Sequence, residues 1–346
     1  MKALLKALSN TPPPPLTALA GSMTVGILAW GLMWQHAASA WALPESWAGA
    51  VRIGSVLVWL LVWLAYAWVW RRESSALAAQ FRHPVQSAFF SLLPVSALLA
   101  AISLLPVWPA AARTFVVVGL AGQLATGLWL VGRFWKGGRP METITASAYL
   151  PAVASNLVAA LAAASFGWRT VAELLFGAGI FSWLAMESLV MARAATHAEL
   201  TADLRPGQGI QVAPPVVAGV AYLAIHPQAS DLLSHMLFGY GLYQAMVALR
   251  LVHWSTRAGA VTGYWSYSFG VMALGSMSLQ FMQYAPHDQF WIVVAAIAFG
   301  FANLVLVVLL LLTLHLFRVG RLSASPTVAA SPTLAVAASP STHNLA

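Results

Sequence analysis

The fold this 346-residue sequence predicts is an all-α polytopic membrane protein, with ten transmembrane helices paired as five helical hairpins. Three observations carry that expectation. Hydrophobic residues make up 60% of the chain and charged residues only 8%, a balance that a water-soluble domain would carry only with large exposed apolar patches. Ten stretches are long and apolar enough to cross a bilayer. The basic residues also divide unevenly between alternate connecting segments.

In chain order, residues 1–15 carry Lys2, Lys6 and the run Pro12 to Pro15, and are expected to form a cytoplasmic segment. The first span covers about Leu16 to His36. Ala38-Ser39-Ala40 resembles a signal-peptidase site, but the proline run and the length of the apolar stretch predict a retained span. Further spans are expected at about 51–70, 86–105, 113–134, 148–166, 171–192, 208–225, 231–253, 263–282 and 290–317. The fifth and seventh are short and carry Pro151 and Pro214-Pro215, so an eight-span reading stays open. The whole of residues 16–317 reads as one channel or transporter domain. Residues 318–346 are a Ser/Pro/Ala-rich run that lacks the means to bury a core and is expected to be a disordered cytoplasmic tail.

Charge tests this topology. With both termini cytoplasmic, the inner segments collect 14 of the 17 Lys and Arg residues, and the outer ones keep only Arg52, Arg113 and Arg169. A missed helix would invert every later segment, so the split supports the span count. It also accounts for the net charge of +8 without nucleic acid, and fits a multi-pass membrane protein.

The spans fall into two kinds. Even-numbered ones are bulky, as in the second, where Trp59, Trp63, Trp68 and Trp70 suit lipid contact and interfacial anchoring. Odd-numbered ones are rich in Gly, Ala and Ser, which suits close packing or a pore wall. Pro94, Pro151, Pro214 and Phe269 follow one another at 57, 63 and 55 residues, near the length of one helical hairpin. The expected architecture is an inner ring of odd helices lining a pore and an outer ring of even helices. An ordinary compact bundle is the alternative.

Few residues offer chemistry. Cysteine is absent, which excludes disulfides and thiolate metal sites. The nine histidines form no i, i+4 pair, and no phosphate loop, nucleophile elbow or intramembrane-protease pattern occurs. No cofactor, no metal and no enzymatic activity are therefore expected. Glu187 in the sixth span and Arg250 in the eighth lie at similar depth and are candidates for a buried ion pair, with proton coupling at Glu187 as the alternative. Candidate pore-lining or kink residues are Pro94, Pro151, Asn156, Pro214, Ser266 and Ser268; Asn156 suits either pore lining or helix bridging. All odd spans start at the same side of the membrane, so their partly positive N-terminal ends would converge and favour anions over cations.

HPVQSAFFSLLP (83–94), AYLPAVASN (148–156), LFGAGIFSWLAMES (175–188), FGYGLYQAMVALRL (238–251) and YWSYSFG (264–270) together resemble the tellurite-resistance/dicarboxylate transporter family. That family includes bacterial tellurite-resistance proteins and the plant guard-cell slow anion channels. The resemblance covers about Thr17 to Phe317. It implies a homotrimer whose subunits each carry ten helices around their own pore. It also implies a gating phenylalanine at Phe269, and it matches Glu187 and Arg250. The implied function is an anion channel or facilitator of the bacterial inner (plasma) membrane for tellurite or other oxyanions, halides or small dicarboxylates. A proton-coupled dicarboxylate carrier using Glu187 and a non-transporting membrane interaction protein are the alternatives. Two departures are the absence of proline from Ala20 to Trp34 and Ser188 after the glutamate, where the family often has proline.

Overall fold

The computed structural model describes residues 16–72, 74–227 and 230–320. The expected N-terminal segment and all of the expected tail past Gly320 lie outside the described residues. Those described are helical or in turns throughout. The chain runs through α1 (Leu16–Ala40), α2 (Glu45–Arg72), the short α3 (Ser74–Arg82), α4 (Leu92–Leu104) and α5 (Pro109–Trp135). It continues through α6 (Ser155–Ser165), α7 (Arg169–Thr196), α8 (Ala213–Ile225), α9 (Leu232–Arg250), the short α10 (Val252–Thr256), α11 (Ser268–Tyr284) and α12 (Gln289–Arg318).

Local chemistry sets these boundaries. Pro109 starts α5 at the position where a missing N–H costs nothing. Asp231 and Ser234 form a reciprocal capping box at the start of α9. Between α6 and α7, Gly167 takes φ 75°, and its N–H and that of Trp168 satisfy the carbonyls of Ala164 and Ala163. Helices α4, α6, α8 and α11 are each preceded by tighter or wider turns. These are Gln86–Ser91, Ala146–Ala148 with Leu150–Ala154, Arg205–Val212, and Thr262–Tyr267. In Leu150–Ala154 the turn is widened at Pro151, which has no N–H to donate, and Ser155 Oγ returns to the Leu150 carbonyl at 2.9 Å.

Nine helical stretches among the described residues are long and apolar enough to cross a membrane. The expected ninth span is not one of them. Thr262–Tyr284 is helical, but its Gly, Ser, Gln and Tyr lower its hydropathy, and α11 is almost wholly buried. Burial alternates along the chain as the side-chain bulk does: 89% of the fifth stretch is buried and only 17% of the sixth. Each consecutive pair packs together, α1 on α2, α4 on α5, α6 on α7, α8 on α9 and α11 on α12. A second set of contacts joins α1 to α4, α4 to α6, α6 to α8, α8 to α11 and α11 back to α1. Glycine permits the close approach within pairs. A Cβ at Gly119 would lie 2.7 Å from Leu98, and one at Gly179 would lie 2.7 Å from Leu157.

Some expectations need correction. Trp59 is buried, and the indoles of Trp59 and Trp63 both donate to Ser96 Oγ on α4, at 3.0 and 2.9 Å; Trp68 and Trp70 are the exposed pair. Arg52, assigned to an outer segment, lies seven residues inside α2 and is buried, because that helix begins at Glu45.

Candidate functional site

The buried helices enclose three successive cavities of about 190, 40 and 230 Å³. Ser22, Ile210 and Ser266 line both the first and the second. Val217 and Phe269 line both the second and the third. The half-buried Phe269 ring thus stands at the wall between the narrow middle cavity and the wide third one.

The lining follows a register. Val25, Val95, Ala154, Ala213 and Phe269 border the middle cavity, one from each buried stretch. Two helical turns further along, Leu32, Ile102, Leu161, Val220 and Ser276 border the third. Every residue of the second set is seven positions after its partner in the first. From Val95 the successive spacings to Ala154, Ala213 and Phe269 are 59, 59 and 56 residues. Among these five Phe269 is the bulky one, beside two valines and two alanines; Tyr149 and Trp265 border the same cavity.

The three cavities differ in polarity. The first receives the N-terminal ends of all five stretches, among them Ala18, Gln86, Ser147, Gln208 and Thr262. Those ends carry the partial positive charge of the helix dipole. Asp203 is the one acid among its lining residues. His83 also lines it, and its imidazole is held below the ordinary pKa of 6.5 by burial first and then by the Arg139 charge. His83 Nδ1 accepts from the Val85 and Gln86 N–H groups, each at 3.2 Å, so the neutral ring closes the turn before α4. No carboxylate lines the middle or third cavity among the described residues. The third presents Gln35, His36, Ser165 and Gln280.

Of the sequence candidates, Phe269, Pro214 and Ser266 line the cavities. Ser266 Oγ donates to the Pro206 carbonyl, tying the turn before α11 to the turn before α8. Ser268 does not face the lumen. Its Oγ donates to the Trp265 carbonyl at 2.7 Å, and its side chain stands where a Cβ on Gly26 would be. Pro94 faces Gly122 of α5 and the Pro151 carbonyl faces Gly127, so both prolines shape the backbone rather than the pore wall. Asn156 Nδ2 donates to the Ala152 carbonyl at 2.7 Å, and Asn156 lines none of the three cavities.

Glu187 and Arg250 are not brought together. Glu187 Oε2 accepts from the Tyr149 hydroxyl at 2.8 Å and the Trp183 indole at 2.9 Å. Its Oε1 accepts from the Tyr240 hydroxyl at 2.7 Å and the Gln244 amide at 3.3 Å. Four neutral donors on three helical stretches satisfy the carboxylate, and Arg250 is exposed at the end of α9 with no ion pair among the described residues. Tyr149 is the residue that sequence reasoning missed. Tyr149 lines the middle cavity while its hydroxyl reaches Glu187, so α7 is bonded to the cavity wall. The cavity-facing stripes were also overlooked; their signal is the i, i+3, i+7, i+10 series Leu92, Val95, Leu99, Ile102 and its counterparts.

Comparison with known proteins is consistent across three kinds of relative. A family model described as SLAC1, voltage-dependent anion channel, matches residues 15–314. The chain is 30% identical over 312 residues to a tellurite resistance protein TehA homolog of Haemophilus influenzae, covering 90% of this chain and 94% of that protein. It is 24% identical over 217 residues to the guard cell S-type anion channel SLAC1 of Arabidopsis thaliana, covering 61% of this chain and 39% of that protein. With the S-type anion channel SLAH2 of the same plant it is 23% identical over 279 residues, spanning about half of that protein's length.

Proposed function

Since the chain belongs to the SLAC1 voltage-dependent anion channel family, a family of multi-pass membrane channels and not of enzymes, we propose that it forms a pore for small anions closed by Phe269. The observation that carries this reading is that Phe269 borders both the narrow middle cavity and the wide third one, in register with the smaller Val25, Val95, Ala154 and Ala213. In this reading the buried stretches form an inner ring of five helices around the pore, and their partners form an outer ring. Thr262–Tyr284 counts as the tenth transmembrane helix despite its low hydropathy. The contacts that join α1, α4, α6, α8 and α11 into a closed circuit support the arrangement.

Selectivity follows from the ends of the helices. Five N-terminal ends face the first cavity, and no Asp, Glu, Lys or Arg lines the cavities beyond it among the described residues. Diffuse dipoles attract an anion without trapping it, whereas a ring of arginines would bind it too tightly to release. With 14 basic residues on one side, the first cavity opens to the cytoplasm, both termini lie there, and anions leave the cell. Tellurite or other oxyanions, halides and small dicarboxylates are the candidate permeants, and the assembly is a homotrimer in which each subunit has its own pore. Glu187 lines none of the cavities, which weighs against a carrier that protonates it during transport.

Currents from purified protein in planar bilayers under asymmetric chloride test the reading. The expected result is a nearly silent native channel and an anion-selective conductance in Phe269→Ala. If both stay silent while liposomes still accumulate labelled dicarboxylate, the pore reading is wrong and a carrier takes its place.

A further inference from the structure

Outside the pore, a cavity of about 210 Å³ lies behind the wide turn of the fifth stretch, lined by Ser87, Ala88, Leu130, Arg133, Arg139 and Pro151 among others. Two guanidinium groups border it, and no carboxylate does. Arg133 donates to the carbonyls of Phe81 and Arg82, at 3.2 and 3.1 Å. Arg139 donates to Thr143 Oγ1 and to the carbonyls of Thr143 and Pro84. Two of the five N–H groups of Arg133 and three of the five of Arg139 are thus used, so half of the ten have no protein partner among the described residues. Neither arginine forms an ion pair among the described residues. Burial, and then the Arg133 charge, hold the Arg139 guanidinium below its ordinary pKa, the mark of a cation that has lost water and gained a like charge but no counter-ion.

The surroundings say what would supply the missing anion. Trp135 is 90% exposed and Trp129 45%, both at the end of α5, where aromatic side chains mark the headgroup level of a bilayer. Trp129 stacks on Phe81 of α3 at 4.2 Å, and the Arg133 guanidinium lies over the Trp129 ring at 5.0 Å. Lys136 is exposed beside them, and Gly137 and Gly138 leave the loop face open. Glu142 is the nearest acid in the loop sequence; it is exposed and makes no ion pair among the described residues.

We propose that this cavity binds a phosphoryl group, held by the free N–H groups of Arg133 and Arg139, with an anionic phospholipid headgroup as its source. Planar guanidinium forks match phosphate oxygens in pairs, and such bonds gain most where water is partly excluded. The bound phosphate stands against Pro151, whose turn carries Leu150 and Ala154 to the pore on its other face.

The test follows the unfolding midpoint of detergent-purified protein on titration with phosphatidylglycerol, with phosphatidylcholine and with inorganic phosphate. Phosphatidylglycerol alone raising the midpoint of the native chain supports a lipid source; inorganic phosphate raising it as well supports the same site filled from solution. In either case Arg133→Gln and Arg139→Gln should each weaken the half-saturating concentration by about tenfold or more, as loss of a charge-assisted bond predicts. Ala88→Phe fills the cavity and leaves both guanidiniums and their carbonyl bonds in place, so it should abolish the shift in a chain that still folds. No shift with either phosphate source, or an undiminished shift in Ala88→Phe, overturns the proposal. The readout does not depend on current, so it stands apart from the reading of the pore.

Discussion

Tyr149 donates its hydroxyl to Glu187 Oε2 at 2.8 Å and borders the middle cavity. Helix α7 is thereby bonded to a residue that borders the cavity, and the same hydroxyl lies 3.1 Å from Gln211 Oε1. Glu187 lines none of the three cavities, yet the residue it holds lines one.

Removing that acceptor deprives four donors of a shared carboxylate. In Glu187→Ala the Trp183 indole loses the acceptor at 2.9 Å, while the Tyr149 hydroxyl still has Gln211 Oε1 at 3.1 Å, the Gln244 amide still has the Tyr240 hydroxyl at 3.1 Å, and Tyr240 is exposed. A loss of about 2 kcal/mol or more is expected, because even one unsatisfied buried donor costs about 1–3 kcal/mol. Glu187→Gln keeps one accepting oxygen and should lose less than half as much. Unfolding midpoints in detergent, read beside the conductance of Phe269→Ala in each background, separate lost stability from a displaced Tyr149.

Arg250 should be separable from Glu187. It is exposed and makes no ion pair among the described residues, so Arg250→Ala should change stability by less than about 0.5 kcal/mol. The double variant Glu187→Ala/Arg250→Ala should lie within about 0.5 kcal/mol of the summed single effects. A coupling well above that, measured by a double-mutant cycle in one detergent, would restore the ion pair that equal depth in the sequence suggested.

Sequence made the layout of this chain readable where a property extends over a whole span. The small-residue stretches are the buried ones because packing without bulk needs Gly, Ala and Ser, and bulky α7 and α12 are the exposed ones. Phe269 stands out as the lone Phe near the middle of a Gly/Ser/Ala stretch, but its gating role comes only from the family resemblance. Proline marks a backbone irregularity, and an irregularity can face either way: Pro214 borders the middle cavity, while Pro94 and the Pro151 carbonyl lie against glycines of α5 and Pro151 sits in a widened turn. Ser266 and Ser268 are two apart, which on a helix puts them on different faces, so one borders the cavity and the other meets Gly26. Depth alone could not pair Glu187, since bonding depends on which way a helix is turned about its axis.

The Gly26–Ser268 contact gives a packing test beside the gate. A Cβ on Gly26 would lie 2.0 Å from Ser268 Oγ and 2.6 Å from its Cβ, and rotating the hydroxyl relieves only the first. Gly26→Ala should cost about 1–3 kcal/mol, as overpacked interiors do. Ser268→Gly added to it should recover most of that loss, whereas Ser268→Gly alone should cost about 0.5–1 kcal/mol as glycine does within a helix. Additive losses in the double variant would mean that the two helices do not meet at this point.

Acid should loosen the turn before α4. The pKa of His83 is lowered in the fold, so the unfolded chain takes up a proton first and stability rises with pH through this range. The contribution is fully present above about pH 6.5 and is lost as pH falls below it, when Nδ1 is protonated and can no longer accept from the Val85 and Gln86 N–H groups. Unfolding midpoints of the native chain should decline below that pH more steeply than those of His83→Asn, whose amide oxygen accepts at any pH. Parallel declines would remove His83 from the account.

Closure at one level makes a prediction that moves the plug. If bulk at the height of Val25, Val95, Ala154, Ala213 and Phe269 is what blocks the lumen, the helix that supplies it is immaterial. Phe269→Ala should conduct, Phe269→Leu should conduct less, and Val95→Phe placed in the Phe269→Ala background should be silent again. Each current is measured in planar bilayers at equal protein density, with Val95→Phe/Phe269→Ala first shown to keep the native unfolding midpoint to within a few degrees. A relocated ring that leaves the current at the Phe269→Ala level would mean that Val95 and Phe269 do not share a level around one lumen. The five-stretch register, and not only the gate, would then be wrong.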